Sequence, residues 1–262
     1  MTFLQTAIQA AQVAGKVLCE KFMHTRATTR KGFRDIVTDA DVAAQEACLR
    51  LITAHFPSHH ILAEEGRHDL DLRSDTPTWI IDPLDGTSNY ARQLPLFAVC
   101  VALAQGGQLQ VGVVYDPLRE ELFYAARGAG AFVQTAGGAA ERLQVSALSE
   151  LAEASVAMGF PRDPDMRARA NQLDARMGAA CQSLRGFGSA GLHLAYVAAG
   201  RLEACYHLTL QPWDIAAGAL LVTEAGGQVS ALDGAVWRLG EGRVLASNGL
   251  LHPALVETLA WK

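Results

Sequence analysis

Apolar positions recur at helical spacing over residues ~2–24 (Phe3, Leu4, Ile8, Ala11, Val17, Leu18, Phe22), and the period predicts a helix. A second helix is expected over ~39–56, ending before Pro57 and opening on "TDAD", where Thr38 and Asp41 have capping-box spacing. "HHILAEE" and "TWIID" read as short strands. From Phe97 to Val145 the pattern turns to strands: "FAVCVALAQ", "QLQVGVVYD", "ELFYAARG", "AFVQ" and "RLQV". Gly pairs and an Asp-Pro separate them, which points to hairpins and an antiparallel sheet. After "PRDPD" a helix is expected at ~164–180. Then "QSLRGF", a helix ~189–199, "RLEACYHL", a helix ~213–226, "RVLASN" and a last helix ~251–260 alternate. The expectation is an α+β fold of layered helices and sheets. Its two intimate halves, 1–150 and 151–262, form one integrated catalytic unit joined without a flexible linker.

Composition narrows the classes. Half of the 262 residues are hydrophobic and 19% are charged, as in ordinary soluble domains. The net charge is −5 and no Lys/Arg run occurs, so no nucleic-acid partner is expected. The five cysteines are odd in number, widely spaced and without C-x-x-C, which fits a reducing cytoplasm. The opening "MTFLQTAIQAAQVAGKVLCEKF" lacks the form of a signal peptide. The longest apolar run, "LFAVCVALA", is far short of a membrane span, so no membrane association is expected. With an acidic chain, an anionic substrate needs a local cation, either a side chain or a metal.

Candidate chemistry concentrates in four acidic segments. In "WIIDPLDGTSNY" an apolar strand ends at Asp82, Pro83 interrupts the ladder, and Asp85 follows. Gly86 permits a tight bend or close approach to a ligand, and Thr87 and Ser88 can cap a following helix. One segment thus offers two carboxylates, the Leu84 carbonyl and helix-start N–H groups, which suit a hard cation and a phosphate respectively. Glu64-Glu65 ends the strand "HILA", "DIVTDAD" holds Asp35, Asp39 and Asp41, and Asp214 follows Pro212 in "QPWDIAAGALLVTEAGG". Each alone also reads as a solvated edge, a capping box, or a helix-start acid stabilised by the dipole. Together they form the dispersed oxygen set that a multi-metal phosphoryl-transfer site needs.

"DPLDGTSNY" resembles the D-P-[IL]-D-G-T-x-N signature of the inositol monophosphatase family. "PWDIAAGALLVTEAGG" is similar to its second signature, and "KGFRDIVTDAD" and "AEEG" resemble its upstream acidic motifs, in the same order. The match runs from about Lys31 to Gly227. It implies a layered α/β/α/β/α sandwich of the inositol monophosphatase/fructose-bisphosphatase type. It also implies a homodimeric, lithium-sensitive phosphatase that uses Mg²⁺, two or three ions per active site.

Carried onto this chain, Glu64, Asp82 and the Leu84 carbonyl would hold a first ion, and Asp82, Asp85 and Asp214 a second. A third, looser ion would share Glu64 and Glu65. Thr87, paired with Asp41, would activate the attacking water. The backbone N–H groups of Gly86, Thr87 and Ser88 would hold phosphate, Ser189 and Ala190 would border the leaving group, and Lys31 and Asp35 would support the acid network. One position departs: where inositol-type members place a glutamate that binds a substrate hydroxyl, this chain has His207. A histidine can still bond a hydroxyl, with a different charge and reach; the other reading is a rim or packing histidine. Arg162, turned inward, would favour a second anionic group on the substrate; the simpler reading is an exposed loop arginine. The expected reaction is Mg²⁺-dependent hydrolysis of a small phosphomonoester by metal-activated water. Inositol 1-phosphate or a related polyol or sugar phosphate is the leading substrate. Histidinol phosphate, fructose 1,6-bisphosphate or a 3′-phosphonucleotide is the alternative, and a regulatory scaffold the non-enzymatic rival.

Overall fold

The computed structural model describes residues 1–24, 28–32, 35–66 and 72–260. Helix α1 (Phe3–Phe22) carries a capping box of Thr2 and Gln5 and buries a stripe of small residues. A ribbon of β1 (Thr28–Gly32) and β2 (Asp35–Thr38) leads into α2 (Asp39–His55), whose Thr38–Asp41 capping box is formed as its spacing predicts.

A seven-stranded sheet follows in the order β3 (His60–Ala63), β4 (Thr78–Asp85), β5 (Ala98–Gln105), β6 (Gln108–Asp116), β7 (Glu121–Ala126), β8 (Gly130–Gln134) and β9 (Glu141–Arg142). Only the β3–β4 pair is parallel; β4 to β9 form the expected antiparallel meander. Of the expected strand "RLQV" only Arg142 lies in a strand, as the second residue of β9, and the ribbon β1–β2, read from sequence only as an acidic motif, is a finding of the structure.

The two faces of this sheet differ in side-chain size. Trp79, Ile81, Val99, Val101 and Leu103 pack on one face against α1 and α2. Ile80, Ala98, Cys100, Ala102 and Ala104 point to the other, as period-2 alternation requires. The small residues there let helices come close. A Cβ at Gly112 of β6 would lie 2.6 Å from the Ala217 carbonyl oxygen.

The helices on that small-residue face are α5 (Ala190–Ala198) and α6 (Pro212–Glu224). Both are buried on nearly every side, as befits helices between two sheets. The second sheet has the order β11 (Ser183–Arg185), β10 (Ser155–Met158), β12 (Ala204–His207), β14 (Val244–Ser247) and β13 (Gln228–Ser230). β10 is parallel to both of its neighbours, and the rest is antiparallel. β10 and β13 were not separated from loops in the sequence reading. α4 (Pro164–Ala180) and α7 (His252–Leu259) cover its outer face through Leu173, Met177, Leu245 and Leu255. The layers therefore run α/β/α/β/α. The middle cluster contains residues of both sheets, Ile80 and Cys100 from one, Ala157, Cys205 and Ala246 from the other.

Candidate functional site

β4 ends where the layers meet. All eight of its residues are buried, including Asp82 and Asp85. Pro83 was expected to stop the ladder. Instead the strand continues to Asp85 through a register shift between Asp82 and Asp85, the irregularity by which a proline is tolerated within a sheet. The bulge places both carboxylates at the strand's C-terminal end. The Asp82 carboxylate accepts from the Leu84 N–H at 2.9 Å. Beyond it, Gly86 takes a left-handed φ of 104°, and a Cβ there would lie 2.9 Å from the Leu96 carbonyl oxygen. This glycine opens the short helix α3 (Thr87–Tyr90) as its N-cap. The expectation that Thr87 or Ser88 caps that helix is corrected: there is no side-chain cap.

The Thr87 hydroxyl is engaged elsewhere. It lies 3.0 Å from Asp41 Oδ1 and 3.1 Å from the Leu84 carbonyl oxygen. Asp41 is nearly fully buried and takes hydrogen bonds at its other oxygen from the Thr38 N–H (2.8 Å) and hydroxyl (2.6 Å). The capping box and the Asp41–Thr87 pair are therefore one network. Burial pushes the Asp41 carboxyl above its ordinary value, opposed by the Thr38 and Thr87 hydrogen bonds.

Asp85 reaches the opposite wall. Its carboxylate accepts from the Ser189 hydroxyl (2.5 Å), the Ala190 N–H (3.1 Å) and the Gly191 N–H (2.7 Å), the first groups of α5. Ser189 is the N-cap of that helix. Ser189 and Ala190 line the cleft, but their polar atoms hold Asp85. Asp214, in the first turn of α6, accepts from the Gln211 N–H at 2.7 Å. Oxygens of Asp82, Asp85 and Asp214 all lie within 4.8 Å of one another. Glu64 follows β3, its N–H bonded to the Ile81 carbonyl at 3.1 Å, and lines the same cleft. Glu65 does not line it; its backbone is gripped by the Gln45 amide. Lys31 and Asp35 fall on the β1–β2 ribbon, with their side chains outside the described residues.

The cleft has a volume of about 810 Å³. Its walls are the end of β4, Gly86 to Ser88, the segment Met158 to Asp163, Ser189 and Ala190, the pair His193 and His207, and the start of α6. Arg162 borders it but is exposed, in line with the reading as an exposed loop arginine. Burial and the neighbouring carboxylates of Glu64, Asp85 and Asp214 hold the Asp82 carboxyl well above its ordinary value. Burial likewise raises Asp85, and burial with Asp85 beside it pushes Asp214 up to about 7. Three clustered carboxylates, Asp82 and Asp85 buried and Asp214 half-buried, with no positive side chain bonded to them among the described residues, are an electrostatic deficit that a divalent cation fits.

His207 is not at the rim: it is 4% exposed, stacked on His193 with ring centroids 5.2 Å apart. Sequence reasoning missed His193, whose apolar helix "AGLHLAYVA" gives no sign of a polar partner across the layer. The adjacent His59 and His60 do not line the cleft; His59 accepts from the Trp79 indole N–H at 3.1 Å.

The profile of the inositol monophosphatase family matches residues 1–261. The chain belongs to the inositol monophosphatase family. It is 38% identical to the Nus factor SuhB of Salmonella typhimurium over 98% of this chain and 95% of that one. It is also 38% identical to the inositol-1-monophosphatase of Caulobacter vibrioides, over 96% and 98% respectively. The crystal structure of the extragenic suppressor protein suhB from Bartonella henselae superposes with a TM-score of 0.90 at 34% identity, covering 98% of this chain and 97% of that one. No described helix is long and apolar enough to cross a membrane.

Proposed function

We propose that the chain is a Mg²⁺-dependent phosphatase of small phosphomonoesters. The observation that carries the reading is the cluster of Asp82, Asp85 and Asp214 beside the Thr87–Asp41 pair. Glu64, Asp82, Asp85, Asp214 and the Leu84 carbonyl would hold the ions, with Glu65 contributing at most to a looser one. A divalent cation bound there neutralises phosphate charge and acidifies water.

The chain's own groups do the rest. The Thr87 hydroxyl has one proton and two acceptors, Asp41 Oδ1 and the Leu84 carbonyl. Its lone pairs are thereby left for a water proton, which orients the water oxygen on phosphorus. Asp41, held by Thr38 and raised by burial, receives the proton passed through Thr87. The backbone N–H groups of Gly86, Thr87 and Ser88 would bind the phosphate. Displacement is direct: Cys100 and Cys205 are buried and their thiols raised by burial, so neither offers a thiolate nucleophile. The two halves act as one unit, since the first supplies most of the acids and the second Asp214.

The test is phosphate release from inositol 1-phosphate, fructose 1,6-bisphosphate, histidinol phosphate and 3′-phosphoadenosine 5′-phosphate, with Mg²⁺ and with chelator. Release that needs Mg²⁺ and vanishes in Asp85→Asn supports the reading. No release from any compound by the folded, Mg²⁺-loaded chain sinks it. Inhibition by lithium and a homodimer in sedimentation belong to the same reading. A second reading, a regulatory role for the same fold, is favoured by the relatives that carry the name Nus factor SuhB. It gains if folded protein releases no phosphate.

A further inference from the structure

Helix α2 buries an amide in its apolar face. Beyond its first turn its buried residues are Ala44, Gln45, Cys48 and Ile52, and only Gln45 is polar. It is 7% exposed, and an amide in such a stripe is costly unless it is hydrogen-bonded. Both of its ends are bonded, and to one residue. Gln45 Nε2 donates to the Glu65 carbonyl oxygen at 2.5 Å, and Gln45 Oε1 accepts from the Glu65 N–H at 3.0 Å. A backbone N–H only donates and a carbonyl only accepts, so the amide has one orientation. The exchange of two bonds with one residue is what a neighbouring strand would offer.

The grip falls at the end of the segment that brings Glu64 to the cleft. Glu64 is tied to β4 through its N–H on the Ile81 carbonyl, and its carboxylate is near enough to Asp82 to raise it. β3 has ended at Ala63, and α2 holds the residue after Glu64. Gln45 does not line the cleft itself. Asp41, one turn earlier on the same face of α2, accepts from the Thr87 hydroxyl at 3.0 Å. One helix therefore braces both sides of the acid cluster, the Thr87 side through Asp41 and the Glu64 side through Gln45.

Resting on the phosphatase reading, we propose that Gln45 is a positioning residue for the cleft cation: by fixing the Glu65 backbone it holds the Glu64 carboxylate beside Asp82. A carboxylate on a fixed backbone loses less freedom on binding an ion than one on a loose strand end, so the clamp raises affinity without touching the ion. Gln45 takes no part in the proton path from water through Thr87 to Asp41, so turnover at saturating Mg²⁺ does not depend on it.

The test is the Mg²⁺ dissociation constant of the full chain without substrate, by titration calorimetry, in wild type and variants. Gln45→Met removes both bonds at nearly the same side-chain length, and the constant should rise about tenfold or more. Gln45→Asn keeps an amide one carbon too short to reach Glu65. It should move the same way, and it stands in if the methionine variant does not fold. Cys48→Ala, three residues further along the buried face, loosens α2 without touching Glu65. It should lower the melting temperature and leave the constant unchanged. Steady-state rates of the Gln45 variants should show a higher Mg²⁺ concentration at half-maximal rate, with kcat at saturating Mg²⁺ largely kept. An unchanged constant in the folded Gln45 variants, or an equal rise in Cys48→Ala, overturns the proposal and leaves the phosphatase reading standing. Failure of the wild type to bind Mg²⁺ overturns the cation site and the proposal with it. Mg²⁺ binding without phosphate release from any compound overturns the phosphatase reading, and the binding constants still decide the role of Gln45.

Discussion

Asp214→Asn should make the metal-free protein more stable at pH 8. The wild-type carboxyl is raised from 3.8 to about 7 by burial and by Asp85. The sign follows from proton binding. Between those two values the folded state holds more protons than the unfolded one, so stability falls as pH rises through that window. No penalty exists below about 3.8, and the whole of it is present above about 7. At pH 8 a shift of that size corresponds to about 4 kcal/mol. Asparagine keeps an acceptor for the Gln211 N–H and removes the charge. Because Asp214 is partly open to the cleft and coupled to its neighbours, a gain of about 2–4 kcal/mol is expected. For a chain of this size that is a rise in melting temperature on the order of 5–10 °C. The assay is thermal unfolding in chelator at pH 5 and pH 8, then with Mg²⁺ added. The wild type should lose stability from pH 5 to 8 and recover it with Mg²⁺ at pH 8, because the ion binds only the folded state. The variant should show a smaller loss and little recovery. A variant no more stable than wild type at pH 8, yet still raised by Mg²⁺, would refute the view that repulsion among these acids waits for a cation.

Other consequences are open to direct measurement. Thr87→Ala removes the hydroxyl between Asp41 and the cleft; turnover should drop about 10²-fold or more with fold and Mg²⁺ response kept, read by steady-state kinetics. Ser189→Ala withdraws the 2.5 Å bond to Asp85 and should weaken Mg²⁺ activation about tenfold or more, read as a higher Mg²⁺ concentration at half-maximal rate. Gly112→Ala would push a methyl to 2.6 Å from the Ala217 carbonyl of α6. It should cost about 1–3 kcal/mol in urea unfolding, and no change in midpoint would mean that α6 retreats freely.

How much of this was legible in the sequence depends on the range of the interaction. The capping box at Thr38–Asp41, the meander from Ala98 to Gln134 and the helices of the second half follow from spacings of a few residues, and they are present. The α/β/α/β/α layering was reached through the resemblance and is likewise observed. The two short strands β10 and β13 were not, because four or three residues carry too little period and are defined by pairing with β12 and β14. The bulge past Pro83 is equally non-local: proline forbids a regular ladder, and only the Asp85–Ala98 pairing shows that the strand resumes. His193 was invisible for the same reason. Its pairing with His207 depends on the end of β12 lying against the start of α5 across the middle layer. Ser189 was read as a substrate neighbour, and only the packing of α5 on β4 shows that its hydroxyl holds Asp85.

The arrangement of helix ends explains how so much negative charge can share one cleft. Asp41 lies in the first turn of α2, Thr87 opens α3, Asp85 takes the first N–H groups of α5, and Asp214 lies in the first turn of α6. A helix start carries partial positive charge and unsatisfied N–H groups, so the longer helices each offset part of the repulsion. The offset is incomplete, since Asp82, Asp85 and Asp214 all remain raised. Asp82 differs from the other two: its backbone donor is the local Leu84 N–H and not a helix start, and burial first, then the carboxylates of Glu64, Asp85 and Asp214, hold it well above its ordinary value. It is therefore the acid whose ionisation depends most on an added cation. If so, Asp82→Asn should abolish Mg²⁺ stabilisation more completely than Asp214→Asn in the same unfolding assay. Equal residual responses would instead mean that the three carboxylates share the cation evenly, and that the helix starts do not decide which acid needs it.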